Sequence, residues 1–316
     1  MRYRKLGNTD LEVSVVCLGT WVFGGDFWGG AEDTESLKVA EDAIERGINF
    51  IDTAPVYGFG RSEEIVGRAI KGKADKVVIA TKLGLEGRGK DVRPNLSAPF
   101  IRKEIEDSLR RLGVEKIDLY QCHWPDPKTP LEETLGEMKK LVEEGKIRCI
   151  GVSNFDKVLM EKATEIAPVV SDQMQYSLLD RKIEEDLMPF CREKGISILA
   201  YGPLGGGILT GKYKKPPAFP KGDARSLFYT FYSEPNWSKA RALVDVLEDI
   251  ASKRGVSTSQ VAINWVLSHE EVASCLAGCR TTQQLEQNLQ AGAWELTEEE
   301  LARIQREYSC IFDVGC

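Results

Sequence analysis

The sequence predicts an α/β protein, a (β/α)8 TIM barrel with a long loop late in the chain and an extra C-terminal helix. Three observations lead there. Eight short apolar runs recur along the 316 residues. Amphipathic segments separate most of them, and alternating strands and helices in a chain of this length close into a barrel. The stretch after the first run, LGTWVFGGDFWGG, does not match the GxGxxG fingerprint that a doubly wound sheet, the rival architecture, usually carries there.

The strands come in order as VSVVCLG (13–19), INFID (48–52), KVVIATK (76–82), IDLYQCH (117–123), IRCIGVS (147–153), PVVSDQ (168–173), ISILAYG (196–202) and VASCLAG (272–278). Between them, 33–46, 100–112, 131–144 and 239–254 place apolar residues three and four apart, as helices do. Asp33 or Thr34 is expected to cap the first helix at its N-terminus, and Gly47 and Gly145 fall where helices should end. Residues 203–237 form a long connection rich in Gly and Pro, and 297–308 read as an added terminal helix. No internal repeat or low-complexity segment interrupts the expected single domain, 1–316.

Apolar residues make up 42% of the chain, enough for a large core, and the net charge is −7. That acidity argues against a nucleic-acid footprint. No apolar run approaches the roughly 20 residues of a membrane helix, and MRYRKLGNTD lacks the apolar centre of a secretory signal. The eight cysteines (17, 122, 149, 191, 275, 279, 310 and 316) are scattered, and Cys275 and Cys279 are too far apart for a CxxC motif. Reduced thiols in a cytoplasmic protein are the simplest account.

Chemistry in such a barrel sits at the C-terminal ends of the strands. Asp52 ends the second run, with Tyr57 in the loop beyond, Lys82 ends the third and His123 the fourth. The other histidine, His269 in SHEE, is expected to be a solvated surface residue. A phenol with a pKa of about 10 releases its proton reluctantly, and a neighbouring ammonium lowers that value. Lys82 would supply the charge and Asp52 would hold Lys82, while His123 would donate a hydrogen bond to a carbonyl oxygen. Together they would serve a general acid in carbonyl reduction.

At these residues the sequence resembles the aldo-keto reductase superfamily. The resemblance rests on GTW (19–21), DTAPVYG (52–58), TK (81–82), His123, GVSNF (151–155), DQMQYSLL (172–179), AYGPLGGGILTGKY (200–213) and LAGCRTTQQLEQN (276–288), in the family's order over almost the whole chain. It implies NADP(H)-dependent reduction of small aldehydes or ketones without a metal, with Asp52, Tyr57, Lys82 and His123 as the catalytic tetrad and Tyr57 as proton donor. It also implies that Ser153, Asn154 and Gln173 bind the nicotinamide carboxamide and that Tyr201 stacks on the ring. The 202–212 loop, with Gly202, Pro203, Leu204 and Gly206, would cross the pyrophosphate, and Lys212 would reach it. Thr20, Trp21 and Gly278 would line the same cleft. Arg280, Gln284, Gln287 and Asn288 would hold the adenosine end, although position 287 is more often Glu in the family. Arg280 would meet a 2′-phosphate, with Arg225 a second choice. YSLLDR and GGGILTGKY are closer to the bacterial and potassium-channel β-subunit branches than to mammalian aldose reductases.

Three rival readings remain beside this one. GGILTGKY (206–213) nearly matches a phosphate loop, but Tyr213 replaces the Mg²⁺-binding hydroxyl and KKPPAFP cannot continue as a helix. Lys82 could form a Schiff base, as in an aldolase. A barrel that retains NADPH could instead be a redox-sensing partner subunit. Around the mouth, Trp21, Phe23, Phe27, Trp28 and Trp124 could line an apolar substrate pocket or pack on the rim. Phe228, Tyr229, Phe231 and Tyr232 could close over it, and glycines 24, 25, 29 and 30 suggest a mobile first loop.

Overall fold

A computed structural model describes residues 1–26 and 28–312, except for the Lys90 side chain. Phe27 and Cys316 therefore lie outside the described residues. The chain begins with an antiparallel hairpin, β1 (Tyr3–Lys5) and β2 (Glu12–Ser14), followed by β3 (Val16–Gly19), α1 (Asp33–Glu45), β4 (Phe50–Asp52) and α2 (Arg61–Ala69). Then come β5 (Val78–Leu83), a small hairpin of β6 (Leu85–Glu86) and β7 (Arg93–Pro94), and α3 (Ala98–Leu112). The next elements are β8 (Ile117–Cys122), α4 (Leu131–Glu143), β9 (Ile147–Ser153), α5 (Lys157–Ile166), β10 (Val169–Gln175) and α6 (Leu187–Lys194). The chain continues through β11 (Ser197–Tyr201), α7 (Ala224–Phe228), α8 (Asn236–Arg254), α9 (Thr258–Leu267), β12 (Val272–Gly278), α10 (Thr282–Gln290) and α11 (Glu298–Phe312).

Strands β3, β4, β5, β8, β9, β10, β11 and β12 close into a parallel barrel in that order. All eight expected runs are these strands. Each is buried on both faces, which is why it reads as a continuous apolar run rather than an alternation. Val16 and Leu18 pack outward against the helices. Cys17 joins Phe50, Ala80, Leu119 and Leu199 in a separate interior cluster. The N-terminal hairpin adds Leu6, Leu11 and Val13 to that interior. Gly7 N–H donates to Ser197 Oγ at 2.7 Å and Arg148 pairs with Asp10 at 2.8 Å. Ser197 starts β11 and Arg148 is the second residue of β9, so the hairpin plugs the N-terminal end and leaves the opposite mouth for the site.

Several expectations need adjustment. Glu32, not Asp33 or Thr34, occupies the first N-cap position; it makes no side-chain cap bond, and Asp33 is already helical. Gly47 and Gly145 follow helix ends at φ of +92° and +75°. Helices α2, α5, α6, α7, α9 and α10 are additional to the segments expected from the apolar spacing. Residues 203–237 hold α7 and short 3-10 turns at Gly205–Thr210 and Thr230–Tyr232. His269 is half-buried rather than a solvated surface residue: its ring sits edge-on to Trp265 and Tyr176, with centroids 4.7 and 5.3 Å away, and burial lowers its pKa. Among the described residues no helix is long and apolar enough to cross a membrane.

Candidate active site at the barrel mouth

Asp52 ends β4 and Lys82 lies one residue from the end of β5, the neighbouring strand. Their side chains meet inside the mouth. Lys82 Nζ donates to Asp52 Oδ1 at 2.5 Å, to the Thr53 carbonyl at 3.1 Å and to Tyr57 Oη at 3.1 Å. The ammonium has all three donors matched, which lets a lysine sit at 1% exposure beside an aspartate at 2%. Burial works against its charge, yet Asp52 and Tyr57 together outweigh burial and leave its pKa above the ordinary lysine value.

The second Asp52 oxygen accepts from Gln173 Nε2 at 2.8 Å and from Gln121 Nε2 at 3.1 Å. Gln121 escaped the sequence reading. Its signal is parity: Leu119, Gln121 and His123 alternate along β8 with the inward face, and a buried amide on that face needs a partner. Gly151 on β9 makes the room. A Cβ there would come within 2.9 Å of Gln121 Cγ and 3.0 Å of Leu119.

From Gln173 a hydrogen-bonded chain runs around the mouth. Ser153 Oγ donates to the Gln173 carbonyl at 2.8 Å, and Asn154 Nδ2 donates to Ser153 Oγ at 3.0 Å and to the His123 carbonyl at 3.1 Å. Tyr201 Oη donates to Asn154 Oδ1 at 2.9 Å. Asn154 takes a left-handed φ of +62°, a conformation Asn tolerates better than most residues. The structure thus links Tyr201, Asn154, Ser153, Gln173, Asp52, Lys82 and Tyr57 in one network.

His123 stands edge-on to Tyr57, with ring centroids 5.8 Å apart. Burial and the nearby Lys82 charge push its pKa well below the usual imidazole value, so the ring is neutral at pH 7. Tyr57 corrects one expectation. Burial raises its pKa more than Lys82 lowers it, and the net shift is upward. The phenol keeps its proton at neutral pH. Lys82, in turn, is a charged ammonium without the free lone pair that a Schiff base requires, which argues against the aldolase reading.

The Tyr57 loop is fixed against the first loop by a contact only glycines permit: a Cβ on Gly58 would meet Gly24 O at 2.5 Å. Trp21 lies nearly parallel to Tyr57 with centroids 6.0 Å apart, and Trp28 and Phe228 meet Trp21 edge-on. Trp124 is exposed, whereas Phe23 is a core residue with one side on the cavity between the first loop and Arg280. Thr20 is wholly buried, its hydroxyl engaged with the Asp52 carbonyl and Ser62; the structure makes it a strut beneath the site rather than a lining residue.

The later loops are looser. Pro203 is buried, Gly202, Leu204 and Gly206 are half-buried, and Tyr232 Oη donates to the Gly206 carbonyl at 3.0 Å. Lys212 is exposed, its ammonium 4.7 Å from the Tyr213 ring centre. The next helix after Gly211 begins only at Ala224, so the phosphate-loop reading has no structural support. Gly278 ends β12 beside Gly19. Arg280 is exposed, and Gln284 Oε1 accepts its backbone N–H at 2.8 Å; Gln287 is exposed and Asn288 buried. Arg225 lies near Arg280 but is already engaged, by Asp223 at 2.6 Å and Tyr213 at 3.1 Å. A cavity of about 300 Å³ lies between Arg280, the first loop at Gly29 and Gly30, and the start of α1 with Glu32 and Glu35.

Residues 15–308 match the model of the Aldo/keto reductase family. The chain belongs to this family. It is 40% identical over 303 residues to the aldo-keto reductase YhdN of Bacillus subtilis (strain 168), covering 95% of this chain and 91% of that relative. The NADH-specific methylglyoxal reductase of Escherichia coli (strain K12) is 35% identical over 323 residues, covering 97% and 98%. Among solved structures, the glycerol dehydrogenase AKR11B4 from Gluconobacter oxydans matches with a TM-score of 0.91 and 42% identity, covering 99% of this chain and 97% of that one. An aldo-keto reductase barrel with oxidoreductase relatives is therefore the frame for the site.

Proposed function

We propose that this aldo-keto reductase reduces a small aldehyde or ketone with a nicotinamide dinucleotide, and that Tyr57 is the proton donor. The observation that carries the reading is the contact of Tyr57 Oη with Lys82 Nζ at 3.1 Å, with Lys82 itself fixed on Asp52. A reduced nicotinamide, when bound, supplies the hydride. The chain's residues handle the proton. Tyr57 holds it at neutral pH and donates it to the carbonyl oxygen, and the Lys82 ammonium stabilises the phenolate left behind. Neutral His123 donates a hydrogen bond to the same oxygen. Asp52, Gln121 and Gln173 keep the amine in register with the phenol.

The residues around this centre fit a dinucleotide. Tyr201 presents a half-buried ring beside Asn154, and the glycine-rich 202–207 turn brings backbone to the rim. The exposed cations Lys212 and Arg280 suit phosphate. On this reading Ser153, Asn154 and Gln173 meet the carboxamide by exchanging bonds they now make with one another. Arg280 favours NADPH. A second reading, NADH, has its own observation: Glu32 and Glu35 face the cavity that Arg280 lines, and carboxylates there suit ribose hydroxyls better than a 2′-phosphate. Cytoplasmic location and a single barrel domain over residues 1–316 belong to the same proposal.

The test is multiple turnover with a panel of aldehydes and ketones, each with NADPH and with NADH. Tyr57→Phe should bind cofactor as the wild type does and lose about 10²–10⁴-fold in rate. Retained turnover in that variant would remove the mechanism. Tight cofactor retention with no turnover on any carbonyl would favour the redox-sensing subunit.

A further inference from the structure

A second cavity, of about 170 Å³, lies on the outer side of the loop that carries Tyr57, between that loop, β6 and α3. The reductase reading makes no use of it. Val56, Phe59, Leu85 and Phe100 give it apolar walls. Glu104, on α3, also lines it and is 7% exposed. Glu104 Oε2 accepts the Gly84 N–H at 2.6 Å. Among the described residues Oε1 has no donor, and it is not sealed within the protein either. Glu104 lines the cavity, and Oε1 is its oxygen without a partner. A buried carboxylate ordinarily has its lone pairs matched, and here one oxygen is left to an open space. The space is large enough for a ligand, since a cavity of about 150 Å³ holds benzene.

The surrounding groups narrow the ligand's chemistry. Arg111 is paired with buried Glu63 at 2.6 Å, and Asp107 with Arg110 at 2.7 Å. Lys103 is exposed at the rim. From β8, the Tyr120 hydroxyl lies buried and unpartnered near Glu104 and Glu63. Burial pushes Glu104 up to about 8; the Gly84 N–H and Arg111 oppose this, while Glu63 and Asp107 add to it. The group that relieves such a carboxyl is a cation with N–H donors. Aromatic walls suit a cation as well, and Phe59 already carries the Arg88 guanidinium 5.4 Å from its ring centre. A metal ion needs more oxygen ligands than one carboxylate offers.

We propose that this cavity is a second ligand site, taking a small primary ammonium whose N–H groups meet Glu104 Oε1 and whose alkyl part packs on Val56, Phe59, Leu85 and Phe100. Calorimetric titration of the full chain tests it without any turnover, so its failure is separable from failure of the reductase reading. n-Butylammonium should bind at pH 7, n-butanol at least about tenfold more weakly, and butyrate not at all. Affinity for the amine should rise about tenfold from pH 6 to pH 7 and level off above pH 8, because Glu104 must shed its proton to bind. The ammonium itself stays charged over that range, with a pKa near that of lysine, about 10.4. Glu104→Gln keeps an oxygen for the Gly84 N–H and should lose at least about tenfold in affinity. Lys103→Gln, at the exposed rim, leaves the fold untouched and should bind about two- to threefold more tightly by removing a like charge. No heat at millimolar amine, equal binding of butanol, undiminished binding by Glu104→Gln, or an affinity independent of pH would each overturn the proposal.

Discussion

The Tyr57–Lys82 centre and the Arg280 rim belong to one barrel mouth but are built differently. At the centre, Lys82 and Asp52 are almost wholly buried, and a chain of hydrogen bonds fixes each polar group on the next. At the rim, Lys212, Arg280, Gln284 and Gln287 are exposed. Proton transfer needs a donor held at a set distance, so its residues are ordered before the substrate arrives. A phosphate can be gripped by side chains that become ordered on binding. A substitution at the centre should therefore remove chemistry and stability together, whereas one at the rim should change affinity alone.

Lys82→Met is the strongest way to break this contrast. It leaves Asp52 buried without its cation, which costs about 3–5 kcal/mol. It also removes the charge that stabilises the phenolate, so turnover should fall by about 10²–10⁴-fold. Urea unfolding and steady-state rates measure the two effects separately. A variant as stable as the wild type would mean that the centre is not preorganised in the way the geometry implies.

The pH profile sharpens the same contrast. The active form on the proposed mechanism has Tyr57 protonated and His123 neutral. The His123 pKa lies well below 6.5 and that of Tyr57 above 10. The rate of reduction with saturating cofactor should show no inflection between pH 6.5 and 10, and should fall only above that window, as the phenol loses its proton. A limb near pH 7 in kcat/KM would place a group other than these two in the rate-determining step.

The strands were legible because a barrel strand buried on both faces must be apolar until it reaches the mouth. Asp52 after Ile51 and Lys82 after Thr81 stand out for that reason. Gln121 did not, because a polar residue inside the apolar run IDLYQC looks like noise until its parity with Leu119 and His123 is considered. Helix α9 was hidden for the opposite reason: TSQVAINWVL is buried along its whole length, so no amphipathic stripe marks it. The direction of the Tyr57 shift was out of reach, because it depends on how burial weighs against one ammonium. Arg225 looked available for phosphate because its capture by Asp223, two residues away, depends on the loop's conformation.

Arg280→Ala carries the smallest expected effect and tests the rim alone. The Arg280 guanidinium makes no ion pair among the described residues, and its neighbours are the like-charged Arg225 and the acid Asp223, which Arg225 already holds. Removing it breaks nothing in the fold, so stability should stay within about 0.5 kcal/mol. If it meets a 2′-phosphate, the dissociation constant for NADPH, read by fluorescence titration, should rise about five- to tenfold, and that for NADH should barely move. The contact is solvent-exposed, so 0.5 M salt should shrink the difference between the two cofactors by screening it. An equal loss for both would move Arg280 to the diphosphate. No loss for either would give the cavity beside Glu32 and Glu35 to NADH, with Arg280 as a bystander.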